Sequence, residues 1–248
     1  MIRSRSIAAV AVLAAILVTG CESTQDKAAR VQKANAIKMK LASQPLTVPT
    51  IDRRVKVTGT TVLRGKDTDA VVVAVVNKSS KPIADLPIAV NILNGAGKEV
   101  LNNTAPGTDH WLNHIPLIRP GQTLYWVNDQ LDPLPSARKA TVRIGPGIVV
   151  AHPYPDAQLI KTHVFQDPVS GAAFTGKASG SAPVLQERLV IFSVGRQGGK
   201  IVSAGRGVLE KLLPNRGKPA GFTIFYVGAS PNSVSLTNQA PPVLSPKK

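Results

Sequence analysis

The sequence predicts an all-β protein, a pair of tandem β-sandwich domains, on three observations. Apolar segments are short and rich in valine and isoleucine, and they alternate with polar residues. Turn chemistry punctuates them at close intervals: Asn94-Gly95-Ala96-Gly97, Pro120-Gly121, Gly145-Pro146-Gly147 and Gly198-Gly199. A strand–turn–strand unit also recurs at an offset of about 102 residues along the chain. The regular helix–strand alternation of parallel α/β folds is missing.

The first domain is expected over residues 50–148. Val55 and Val57 alternate with Arg54, Lys56 and Thr58, the pattern of a half-buried strand. Ala70 to Val76 is continuous, apolar and mostly β-branched, and its seven residues suit a buried strand better than a helix. Asn77-Lys78-Ser79-Ser80-Lys81-Pro82 reads as a turn. Ile88, Val90 and Ile92 share one face of the next strand, and Asn94 to Gly97 returns the chain into Glu99-Val100-Leu101 as a hairpin. Pro120-Gly121 introduces Leu124-Tyr125-Trp126-Val127, and Ala140 to Ile144 is the last strand. The second domain is expected over 149–240. There Val190, Phe192 and Val194 match Ile88, Val90 and Ile92, Gly199-Lys200 matches Gly97-Lys98, Glu187 matches Asp85, and Phe222 to Val227 repeats the aromatic strand. The Pro-stiffened segment His152-Pro153-Tyr154-Pro155-Asp156 joins the two, and residues 241–248 form a tail.

The spacing of about 100 residues per unit suggests sandwiches of immunoglobulin-like type, without the Cys…Trp…Cys signature of antibody domains. The run of strand, Asn-Lys-Ser-Ser turn, Gly-Lys turn and Pro-Gly before an aromatic strand is similar to the FxLYD-like domains of bacterial envelope lipoproteins. That resemblance covers about residues 50–240, and it implies binding or adaptor work.

Ahead of the β region, Arg3 and Arg5 precede a 12-residue apolar run, Ile7 to Val18. A basic segment, an apolar segment and small residues in that order are the layout of a secretory signal over residues 1–20. The run is too short to span a bilayer, which takes about 20 residues. Leu17-Val18-Thr19-Gly20-Cys21 resembles the lipobox of bacterial lipoproteins. The resemblance implies cleavage between Gly20 and Cys21, lipidation of Cys21 with fatty acids such as palmitate, and a membrane-anchored position on the extracytoplasmic side. Residues 21–49 then read as the lipidated N-terminus and a basic tether, partly helical over Ala28 to Leu41, with Pro45 and Pro49 closing it.

Charge and cysteine content narrow the chemistry. The formal net charge is +16. A basic exported protein meets anionic lipid and anionic envelope polymers, whereas no nucleic-acid motif is present. Cys21 is the one cysteine, so its lipidation leaves no thiol for catalysis, for a thiolate metal site or for a disulfide. No Gly-x-Ser-x-Gly elbow appears, and carboxylates are few and scattered. Gly195-Arg196-Gln197-Gly198-Gly199 lacks the Lys-Ser/Thr of a phosphate loop and reads as a hairpin turn, and Gly205-Arg206-Gly207 as a bulge or turn. No enzyme and no cofactor are expected.

Two groups of residues are candidates for binding. His110 and His114 stand four apart beside Asp109, but Pro106-Gly107 and Pro116 disfavour the helix that would present both to a metal. The favoured reading is loop or core histidines, with no metal. Trp111, Tyr125, Trp126 and Tyr154 could stack on a sugar or anchor a partner, and strand alternation puts one of Tyr125 and Trp126 inward. The expectation is a non-catalytic, lipid-anchored envelope protein acting as a binding or scaffolding module on another envelope protein or an anionic polymer. The alternative is an accessory lipoprotein binding a metal ion or an anionic wall or membrane polymer.

Overall fold

The computed structural model describes residues 44–168, 171–230 and 234–243. The expected signal at 1–20, the cleavage pair Gly20 and Cys21, and the helical part of the tether lie outside them. The fold is all-β. Fifteen strands and one 3₁₀ turn, His110–Leu112, are assigned among the described residues, and every strand ladder is antiparallel. No helix among those residues is long and apolar enough to cross a membrane.

The first half carries β1 (Val55–Leu63), β2 (Asp69–Asn77), β3 (Ile83–Asn94), β4 (Glu99–Asn102), β5 (His114–Ile118), β6 (Thr123–Leu131), β7 (Ala137–Ile144) and β8 (Ile148–Val149). One sheet is ordered β1-β2-β6. The central β2 buries both faces, which explains its unbroken Val-rich composition. The other sheet is built around β3, a 12-residue strand that changes partners along its length. Its first residues pair with β5 and β8, and its last with β4 and β7. Ile88, Val90 and Ile92 do share one buried face, each no more than 1% exposed. The turn after β2 is fixed by Asn77, whose buried amide donates to the Lys81 and Ile118 carbonyls and accepts from Ser79.

The second half carries β9 (Gln158–Asp167), β10 (Gly171–Ser179), β11 (Gln186–Gln197), β12 (Lys200–Leu212), β13 (Ala220–Phe225), β14 (Val227–Gly228) and β15 (Ser235–Gln239). Its sheets are ordered β13-β10-β9 and β14-β12-β11-β15. Strands β11 and β12 form the expected hairpin across Gly198-Gly199, both at positive φ, which glycine adopts without the steric cost of a Cβ. Gly205-Arg206-Gly207 is neither bulge nor turn. It lies in mid-strand in β12, in unbroken register with β11. A Cβ on Gly205 would stand 2.2 Å from the Phe225 carbonyl oxygen, and one on Gly207 2.9 Å from Ile224. The two glycines let β13 approach, and alternation sends Arg206 to the opposite face.

The internal repeat is visible with a one-residue adjustment. Strands β3 and β11 each span 12 residues and begin 103 apart. Each places its third residue, Asp85 or Arg188, at φ 53°. By the following turns, Gly97 (φ 78°) and Gly199 (φ 79°), the offset is 102. Glu187 is therefore not the counterpart of Asp85; Arg188 is.

Among the described residues no ladder joins β1–β8 to β9–β15, yet those residues form one compact unit. A single hydrophobic cluster draws on both halves, from Val72 and Trp126 to Phe192 and Ile224. The edges expected as tether and tail are partly built in. Leu46 N–H donates to the Thr104 carbonyl, Arg143 donates to the Val48 carbonyl, and Val48 is 8% exposed. At the other end Val243 is buried, and its N–H donates to Gln186 Oε1.

Candidate functional site

The turn at residues 109–114 is held rigidly from several sides. Asp109 caps it, its Oδ1 accepting from the Trp111 N–H at 3.0 Å. Trp111 and Leu112 are buried, and the Trp126 indole donates to the Trp111 carbonyl at 3.2 Å. Asn103, itself buried, donates to the Leu112 carbonyl. Strand β5 then leaves this turn and pairs with the start of β3, with His114 opposite Pro87 and Ile115 opposite Leu86.

In that register Asp85 stands opposite Pro116, the one position of β5 with no N–H to offer. The ladder is interrupted there, and Asp85 adopts the left-handed conformation. Its carboxylate reaches the turn, where His110 Nε2 donates to Asp85 Oδ1 at 2.7 Å. The His110 and His114 rings stack at a centroid distance of 4.0 Å and an interplanar angle of 15°. His114 Nδ1 donates to Asn113 Oδ1 at 2.6 Å, which leaves its Nε2 unprotonated. Donor atoms of Asp85, His110 and His114 all lie within 4.8 Å of one another.

The two histidines are thus brought together without an α-helix. A short 3₁₀ turn running into a strand does it instead, and a carboxylate 25 residues upstream joins them. The hydrogen bond from His110 holds the Asp85 carboxyl below the usual carboxylate range, against the opposing effect of desolvation. Burial, reinforced by the neighbouring His110, pushes the His114 imidazole down to about 4, with Asp85 opposing. At neutral pH the cluster therefore presents one carboxylate and a neutral, half-buried imidazole at His114. His152 and His163 are exposed and take no part in it.

An ionic cluster on the other side of the same turn joins the two halves. Arg188 donates to Asp109 Oδ2. Arg206, 3% exposed, sets its Nε 3.8 Å from Asp129 Oδ1 and a terminal nitrogen 3.7 Å from Asp109 Oδ1. Its backbone N–H donates to Asp129 Oδ2 at 2.7 Å. Burial raises the Asp129 carboxyl and lowers the Arg206 guanidinium, while their mutual attraction opposes both. The two left-handed residues of the repeat thus address one turn: Asp85 meets His110, and Arg188 meets Asp109.

The candidate aromatics are built into the body. Trp126 is 0% and Trp111 7% exposed, so neither offers a face to a ligand. Tyr125 points the other way from Trp126, as alternation requires, but meets the second half. Arg196 lies 4.7 Å from its ring centroid and donates to its hydroxyl, and Gln239 accepts from its N–H at 2.8 Å. Tyr154 lies in the connecting segment, where Arg119 clamps its carbonyl and the Asp156 carboxylate. A cleft of about 320 Å³ opens between the Gly65–Thr68 loop and Tyr226–Gly228. Its described walls carry Lys66 and Asp67 but no histidine.

No protein-family model and no curated protein matches the chain.

Proposed function

We propose that this chain is an exported, lipid-anchored, non-catalytic envelope protein that acts as a binding or scaffolding module. The sequence around Cys21 supports the anchor, through its resemblance to a lipobox after a basic and then an apolar segment. The observation that carries the scaffolding part is the locked contact between the halves. Asp109, Asp129 and Tyr125 of the first half engage Arg188, Arg206 and Arg196 of the second. A body so cross-braced holds its outward surfaces at fixed distances, which is what a scaffold supplies. Its partner is another envelope protein or an anionic envelope polymer, in keeping with 30 basic residues against 14 acidic ones.

Cys21→Ala tests the anchor. The variant is expected to accumulate as unprocessed precursor and to take up no radiolabelled palmitate. A variant still cut to the mature size and still membrane-bound would rule the anchor out. Two acyl chains hold a protein stably at a bilayer, at about 0.8 kcal/mol per buried methylene, so loss of the thiol is expected to be all-or-none in fractionation.

A further inference from the structure

We propose that Asp85, His110 and His114 form a binding site for a divalent transition-metal ion of borderline softness, with Zn²⁺ as the representative. The inference is independent of the lipid anchor and goes beyond scaffolding.

Two imidazoles and one carboxylate are a donor set that suits zinc and its neighbours, at metal–ligand distances of about 2.0–2.2 Å. The three donor groups already converge within 4.8 Å. They come from two neighbouring strands and a capped turn, so little chain ordering remains for binding to bring about. His114 is oriented by a second partner, since its Nδ1–H donates to Asn113, and that leaves Nε2 as the ligand atom. Asp109, which caps the turn, is held in turn by Arg188 of the second half.

One rearrangement is required. A metal lies in the plane of each imidazole that binds it, and two planes 15° apart at 4.0 Å cannot share one ion. His110 is the ring that moves, because its side chain is 49% exposed. For His110 Nε2 to take the ion, the proton it shares with Asp85 shifts to Nδ1, so that the ligand remains a neutral imidazole and Asp85 Oδ1 is freed for the metal. Three protein ligands leave at least one coordination position for water or for a donor from a partner, as in zinc sites that exchange ligands.

The test is calorimetric titration of ZnCl₂ into the metal-stripped mature protein in detergent, with Co²⁺ absorption as a second reading of geometry. Wild type is expected to bind one ion per chain and to give an intense tetrahedral Co²⁺ band. His110→Ala and Asp85→Asn alter half-exposed side chains, and asparagine tolerates the left-handed conformation, so both variants are expected to keep the wild-type circular dichroism spectrum. Each is expected to weaken binding at least about tenfold and to lose the Co²⁺ band. Absence of a one-to-one complex in wild type, or binding by both variants at wild-type affinity, would overturn the site and leave the scaffolding proposal untouched.

Discussion

Arg206→Met is expected to cost about 3–5 kcal/mol of folding stability, because it strands a largely buried carboxylate. Arg206 is 3% and Asp129 13% exposed, and the pair sits where β6 meets β12. Removing the guanidinium leaves Asp129 with the Arg206 backbone N–H and little else to offset its desolvation. Urea unfolding of Arg206→Met, Asp129→Asn and the double variant forms a cycle that isolates the pair. The double variant is expected to recover much of the loss, since a neutral buried pair carries a smaller desolvation cost. The pH dependence has a definite sign. Burial raises the Asp129 carboxyl in the native state, so the native state keeps its proton to higher pH than the unfolded chain does. The cost of Arg206→Met is therefore smallest in acid and grows as pH rises through the native value. A cost independent of pH, or undiminished in the double variant, would contradict this assignment.

Trp126→Ala is expected to cost about 3–5 kcal/mol through the cavity it leaves. The ring is fully buried in the first half, among residues of both of its sheets. Its indole also satisfies the Trp111 carbonyl at 3.2 Å, so truncation orphans an acceptor in the turn that carries His110. Trp126→Phe restores most of the volume but not the donor, and it is expected to recover only part of the loss. Far-UV circular dichroism in urea is the appropriate probe, since tryptophan fluorescence changes with the substitution itself.

Most of the strands were legible because their signals are local. The unbroken valine run is β2, the alternation of Ile88, Val90 and Ile92 is the buried face of β3, and Gly198-Gly199 turns a hairpin. Gly205-Arg206-Gly207 was misread because glycine marks both a turn and a close approach between strands, and only the packing of β13 distinguishes them. Alternation correctly put Tyr125 and Trp126 on opposite faces. It could not show that the face away from Trp126 is covered by Arg196 and Gln239, more than 70 residues away. The candidate site was half visible. The spacing of His110 and His114 is local, but a helix was the wrong test of their meeting, because a 3₁₀ turn into a strand stacks them equally well. Asp85 carried a faint signal in Pro116, which breaks the ladder opposite it, but the pairing of β3 with β5 was needed to use it. The 102-residue offset was right at the Gly-Lys turns and one short at the strand starts, so it matched Asp85 with Glu187 and hid its kinship with Arg188.

Differential scanning calorimetry of the chain beginning at Glu22 tests most directly whether the two halves act as one cross-braced body. The expected result is a single transition in which the calorimetric and van't Hoff enthalpies agree. Two resolved transitions, or a van't Hoff enthalpy near half the calorimetric one, would show that the halves unfold independently and that the contacts of Arg206, Arg188 and Arg196 do not bind them into a scaffold.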